Sequence, residues 1–207
     1  MQATKRLFSK AAALLLMMVL TTATAWADEL VDIKYYDPTA AMGQQRKTAT
    51  DVLDITSSTT AIGTAGNETW YYVSGTVTCS TRIEVSGTVN LILADGCNFT
   101  ASKGLHVPSG SALSIYAQSV ANRGSLTANG VYTNAAIGGN GGNDANGNTA
   151  DKGENAGDIT IYGGKITTTN GNIGGGNVFN QQSIGGSNQG ARVKRDCYNV
   201  WDDNWAE

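Results

Sequence analysis

From Trp70 onward, apolar and polar residues alternate in short runs broken by Gly, Ser and Asn. A period of two puts successive side chains on opposite faces and predicts strands, not helices. The apolar positions are Val77 and Cys79; Ile83 and Val85; Val89, Leu91 and Leu93; Cys97, Phe99 and Ala101; Leu105 and Val107; Leu113, Ile115 and Ala117; Leu126 and Ala128. Every third run repeats the character of the first, and VSGTV recurs at 73–77 and 85–89. Setting Ile83/Val85 beside Leu105/Val107 and Val89/Leu91 beside Leu113/Ile115 gives offsets of 105 − 83 = 22 and 113 − 89 = 24. Three short strands at such an offset predict an all-β fold, a right-handed single-stranded parallel β-helix with three strands per coil. A sandwich or barrel also has many short strands, but brings clearer hairpin signals and a wider spread of strand lengths.

The flanks lack this pattern. Residues 28–69 show little periodicity, hold Pro38 and a polar run from Gln44 to Asp51, and are expected to form an irregular N-terminal cap over the first coil's strand edges and core. Seventeen of the 26 glycines fall between Gly130 and Gly190. The run NGGNDANGNTADKGENA has no apolar side chain larger than alanine, so about 138–156 is expected to project as a loop inserted in one coil. The strand grammar resumes at GDITIYGGKITTTNGNIGGG, 157–176, with Ile159, Ile161, Ile166 and Ile173 inward. The helix is thus expected over 70–176. Residues 177–207 lose the pattern and are either an irregular C-terminal segment or the end of a truncated chain.

The first 27 residues have the form of an export signal. Lys5, Arg6 and Lys10 precede an apolar run from Ala11 to Leu20, and Ala25-Trp26-Ala27 is a small-x-small cleavage sequence. The apolar run is short of the ~20 residues needed to cross a bilayer. Export to the cell surface or beyond is expected, with the periplasm as the alternative and no membrane insertion once the leader is cut. Removing it leaves 14 − 3 = 11 basic residues against 17 acidic ones. That balance gives no electrostatic reason to approach nucleic acid or anionic lipid. Cys79, Cys97 and Cys197 are an odd set for an exported chain. Cys79 and Cys97, 97 − 79 = 18 residues apart, are candidates for a disulfide between neighbouring coils; two buried thiols are the alternative.

The phrases VSGTVTCSTRIEVSGTVNLILADGCNFTASKGLHVPSGSALSIYAQS at 73–119, then GSLTANG, AAIGG and the 157–176 run, resemble a group of Gly-rich secreted or surface proteins of gut bacteria. Members of that group are often labelled carbohydrate-binding domain-containing or hypothetical protein. The resemblance covers about residues 70–176 and contains no catalytic motif. It implies an extracellular right-handed β-helix and supplies no set of functional residues.

Candidate chemistry therefore comes from the residues themselves. Ser114-Ile115-Tyr116 and Thr160-Ile161-Tyr162 match position by position. With both isoleucines inward, Tyr116 and Tyr162 face outward in adjacent coils about 4.8 Å apart. Ile92 extends that column, and Asn90, Ser114 and Thr160 form a polar column beside it. Ring faces next to hydrogen-bonding groups suit a glycan; cross-strand packing is the alternative role. Asp144, Asp151, Glu154 and Asp158 gather oxygen ligands for calcium in and beside the Gly/Asn-rich loop, which is otherwise expected to be solvated. No catalytic residue is assigned. Between Trp70 and Gly130 the acids are Glu84 and Asp95 and the bases Arg82, Lys103 and Arg123, with no facing acid pair in view. His106, between inward Leu105 and Val107, is expected on the surface without a carboxylate beside it. Glycan binding or adhesion by a non-catalytic secreted protein is the leading reading. The alternatives are a purely structural surface protein and a lyase-like enzyme acting on uronans.

Overall fold

The computed structural model describes residues 32–142 and 153–175, together with the backbone of 193–194. The leader, Asp144, Asp151, Cys197 and most of 177–207 lie outside the described residues. The fold is all-β with parallel sheet segments; one 3-10 turn at Ala49–Asp51 interrupts the strands. Among the described residues no helix is long and apolar enough to cross a membrane. In chain order the strands are β1 (Asp32–Tyr36), β2 (Gln44–Thr48), β3 (Val52–Asp54), β4 (Ala61–Val73), β5 (Thr76–Cys79), β6 (Ile83–Leu93), β7 (Asn98–Ala101) and β8 (Leu105–His106). They continue as β9 (Ala112–Ala117), β10 (Ser125–Asn129), β11 (Ile137–Gly138), β12 (Asp158–Ile161), β13 (Lys165–Thr169), β14 (Ile173–Gly174) and β15 (Val193–Lys194).

Parallel pairing sorts β3 to β15 into three stacks. The first runs through β3, the second part of β4, the second part of β6, β9, β12 and β15. The second holds β5, β7, β10 and β13. The third holds the first parts of β4 and β6, then β8, β11 and β14. From Ala61 the chain visits third, first and second stack in fixed rotation. The expected register is observed: Ile83 pairs with Leu105, Val89 with Leu113 and Leu91 with Ile115.

Alternation explains the interior. Leu91, Leu113, Ile115 and Ile159 from the first stack meet Phe99, Ala101, Leu126 and Ala128 from the second. Ile62, Ile83, Val85, Leu105 and Ile137 from the third close the same cluster, and Ile161, Ile166 and Ile173 pack against it. Gly138 and Gly174 pair in the third stack, both with φ near 138°. A Cβ on Gly138 would lie 1.8 Å from the Gly174 carbonyl oxygen, so the close approach of β11 to β14 requires glycine there.

Two expectations are corrected. The segment expected to be an irregular cap is ordered: β1 and β2 form an antiparallel hairpin, β3 starts the first stack, and Ile55 and Ile62 join the core. The polar β2, QQRKT, and the shortness of β1, whose apolar face is only Ile33 and Tyr35, hid this, and both strands pack on the outside of the parallel sheet. The Cys79–Cys97 disulfide is absent. Cys79 pairs with Ala101 and Asn98 with Thr76, so Cys97 stands beside Gly75, four residues from Cys79 along the neighbouring strand. Both are buried free thiols; Cys79 donates to the Thr56 carbonyl at 3.3 Å, and burial pushes both thiols above their ordinary range.

Gly138→Ala combines a forbidden contact with a disfavoured φ and is expected to cost about 2 kcal/mol or more. Urea unfolding should show a lower midpoint at unchanged slope. A midpoint equal to the parent's would contradict the close β11–β14 approach.

Candidate functional site

The outward face of the first stack carries the tyrosine column in the expected register. Tyr72, Ile92 and Tyr116 are successive partners, and Tyr162 follows, its N–H donating to the Ile115 carbonyl at 2.8 Å. Trp70, Asn90, Ser114 and Thr160 form the neighbouring column. Tyr116 and Tyr162 stack with ring centroids 4.8 Å apart.

Around Asn90, Ile92 and Tyr116 this face is covered, which corrects the expectation of a wet ligand strip there, while Ser114, Thr160 and Tyr162 stay partly exposed. The β1–β2 hairpin lies across the covered part, pairing Tyr36 with Ala117. Tyr35 packs against both Trp70, at 4.8 Å, and Tyr116, at 5.1 Å, which themselves stack at 5.5 Å, and Lys47 Nζ sits 4.5 Å from the Trp70 ring centre. Ile92 is fully buried, Tyr116 is 7% exposed and Asn90 is 5% exposed. Glu68 accepts from both Trp70 Nε1 at 2.8 Å and Asn90 Nδ2 at 3.0 Å, so Asn90 of the polar column is used internally. Tyr35, Trp70, Ile92 and Tyr116 thus make a second apolar cluster outside the first. The sequence alternation of β6 shows one apolar face; Ile92 buried on the other face reveals a sheet covered on both sides.

The outward face of the second stack has no such cover among the described residues. Inward Val77, Phe99, Leu126 and Ile166 alternate with outward polar residues. Thr78, Thr100, Thr127 and Thr167 pair in register as one file across four strands. Thr76, Asn98, Ser125 and Lys165 form a second file, and Asn129 with Thr169 begins a third. Neighbours in a file stand about 4.8 Å apart, and files about 6.6 Å apart. Within this face the Ser125 hydroxyl donates to Asn98 at 2.9 Å and the Thr169 hydroxyl to Asn129. Lys165 is the one ionisable side chain in these files. A hydroxyl with its methyl offers a donor, two acceptor lone pairs and a small apolar contact. The tandem Thr and Asn positions were visible in the sequence, but their alignment depends on offsets that differ between rounds.

A third arrangement escaped sequence reading. His106 pairs with Glu84 in the third stack, and its Nδ1 contacts the Glu84 carboxylate. Its Nε2 contacts Glu154 at 2.6 Å and Asn140 Nδ2 at 3.1 Å. This corrects the expectation of a surface histidine without a carboxylate beside it. The 22-residue offset that matches Ile83 with Leu105 also matches Glu84 with His106. Nearby, Arg82 donates to the carbonyls of Lys103 and Ala135 at 2.9 Å and of Gly138 at 3.1 Å, and burial draws its guanidinium below the usual range. Both cation and imidazole are engaged in holding 135–140 and Glu154 to the sheet.

Of the calcium candidates, Asp144 and Asp151 lie outside the described residues. Glu154 is taken by His106 and the Asn140 N–H, and Asp158 is exposed at the start of β12. Among the described residues no group of three ligating side chains could hold a metal ion. No family model, no curated protein and no solved structure matches the chain.

The covered tyrosines predict an alkaline limit. Burial above all raises the Tyr116, Tyr35 and Tyr72 hydroxyls above their ordinary value, with nearby Asp37 adding to the rise for Tyr116 and Tyr35. The native form then keeps protons that the unfolded chain releases near pH 10, so stability is full below about pH 10 and falls as pH rises. Tyrosinate absorbance and loss of strand circular dichroism should rise together above that pH. Full tyrosine ionisation near pH 10 with the strands intact would contradict the covered face.

Proposed function

We propose that this chain is a non-catalytic, exported glycan-binding or adhesive protein, wound as a right-handed parallel β-helix, that holds neutral polysaccharide on the outward face of its second stack. The fixed rotation of the chain through three parallel stacks supports the helical winding, and the resemblance to Gly-rich secreted and surface proteins supports export. The single observation that carries the binding reading is the in-register file Thr78, Thr100, Thr127 and Thr167. A repeating row of hydroxyls with one lysine among the files favours a neutral, repeating, hydroxylated ligand over a charged one. The described end of β10 and β13, with Asn129 and Thr169, widens the row toward an amide-bearing edge.

A lyase-like reading would run through Glu84, His106 and Glu154. As arranged, each imidazole nitrogen already faces a carboxylate and Arg82 is engaged with backbone carbonyls, which favours a holding role for the group. Surface display without a ligand would leave the threonine file with no purpose beyond strand propensity.

The test is affinity electrophoresis of the mature chain through gels containing neutral or uronic polysaccharides. Retention is expected in one or more neutral gels. Thr100→Val with Thr127→Val keeps the β-branched shape and removes two hydroxyls. It should weaken retention by about thirtyfold, as expected from two hydrogen bonds of about 1 kcal/mol each. Undiminished retention by the folded double variant would remove this face as the binding surface, and cleavage of uronan by the parent would replace binding with catalysis.

A further inference from the structure

The turn between β10 and β11 holds the outlier of the described backbone. Thirteen described residues have positive φ; eleven are glycines, one is Asn170, and the other is Tyr132 at 57°. Asparagine tolerates this region through its short polar side chain, whereas a bulky aromatic there is strained. Asn134 N–H donates to the Val131 carbonyl at 3.1 Å, closing a four-residue turn with Tyr132 at its first central position. Thr133, the second central residue, has no positive φ. That is the pattern of a type II′ turn, whose first central position is ordinarily glycine.

The strained ring makes no packing contact that explains it: Tyr132 is 96% exposed. A single exposed aromatic is unremarkable by itself. An exposed aromatic where a glycine would relieve strain is not, because neither local conformation nor burial favours it. The turn is also braced. Gly141 N–H donates to Asn134 Oδ1 at 2.7 Å, Thr133 Oγ1 to the Gly142 carbonyl at 3.3 Å, and Gly130 N–H to the Thr169 carbonyl at 2.8 Å. The last bond ties the turn to the strand end that carries Thr169, and Tyr132 follows Asn129 by three residues. The turn that carries Tyr132 therefore starts where the hydroxyl-bearing face ends, on a backbone braced by these bonds.

From this we infer that Tyr132 is the aromatic platform of the glycan site, stacking on the apolar face of a pyranose ring while the Thr and Asn files bond its hydroxyls. The inference rests on the proposed glycan binding and adds the residue that gives it a ring contact. Aromatic side chains suit this because they present a large apolar face with little rotamer freedom to lose, and a braced turn reduces the ordering cost further.

The experiment uses the mature chain and the neutral polysaccharide that retains it, with Tyr132→Ala, Tyr132→Phe and Tyr132→Gly compared by affinity electrophoresis and thermal melting. Tyr132→Ala should lose retention by tenfold or more, and Tyr132→Phe should keep it. Tyr132→Gly should lose retention yet melt about 2–4 °C higher, as strain at the turn is released. Retention within twofold for Tyr132→Ala, while Thr100→Val with Thr127→Val is weakened, overturns the platform and leaves the glycan reading intact. A lower melting temperature for Tyr132→Gly overturns it too, since the ring would then serve the fold. Failure of the parent to bind any neutral polysaccharide removes the glycan reading and the platform with it.

Discussion

Everything here depends on in-register stacking of like side chains across parallel strands about 4.8 Å apart. Each residue on an inner file meets its counterpart from the previous round, so Leu91 lies on Ile115 and Phe99 on Leu126. The same constraint acts outward. It aligns threonines on the second stack, sets Glu84 beside His106 on the third, and lines up Tyr72, Ile92 and Tyr116 on the first. A slip of one residue would exchange the two faces of every strand. Register is therefore the origin of both the core and each surface feature.

The interior was readable from the alternation because Val, Leu and Ile at every second place have one physical meaning in a short strand. Offsets of 22 and 24 located the partners of Ile83 and Val89 without any coordinates. What stood on the outside was less readable, since an outward residue is covered or bare according to segments far away in the chain. Tyr116 looks the same in sequence whether Tyr35 covers it or not. The hairpin itself escaped because QQRKT carries no apolar stripe.

His106 and Cys97 show two sides of the same difficulty. The offset that pairs Ile83 with Leu105 also pairs Glu84 with His106, so that contact was implicit in a register already in hand. Glu154 was not, because it arrives from beyond an insertion whose length breaks the count. For the cysteines, an 18-residue spacing is close to one round but four residues short of the 22 that separates Thr76 from Asn98. In a stack, near agreement of spacing does not bring side chains together. Tyr132 likewise could not be found by pattern, since its conformation is a property of one backbone angle.

The hairpin that covers the first stack precedes in the chain everything it covers. Tyr36 meets Ala117 across 117 − 36 = 81 residues, and Tyr35 rests on Tyr116. The hairpin's pairing with β9, and the contact of Tyr35 with Tyr116, must therefore wait until β9 has been laid down. Contacts of such long sequence separation slow folding. The cover of the first stack is thus made well before the strand it pairs with, and its aromatic side chains wait for Tyr116 until more than half of the chain has been made.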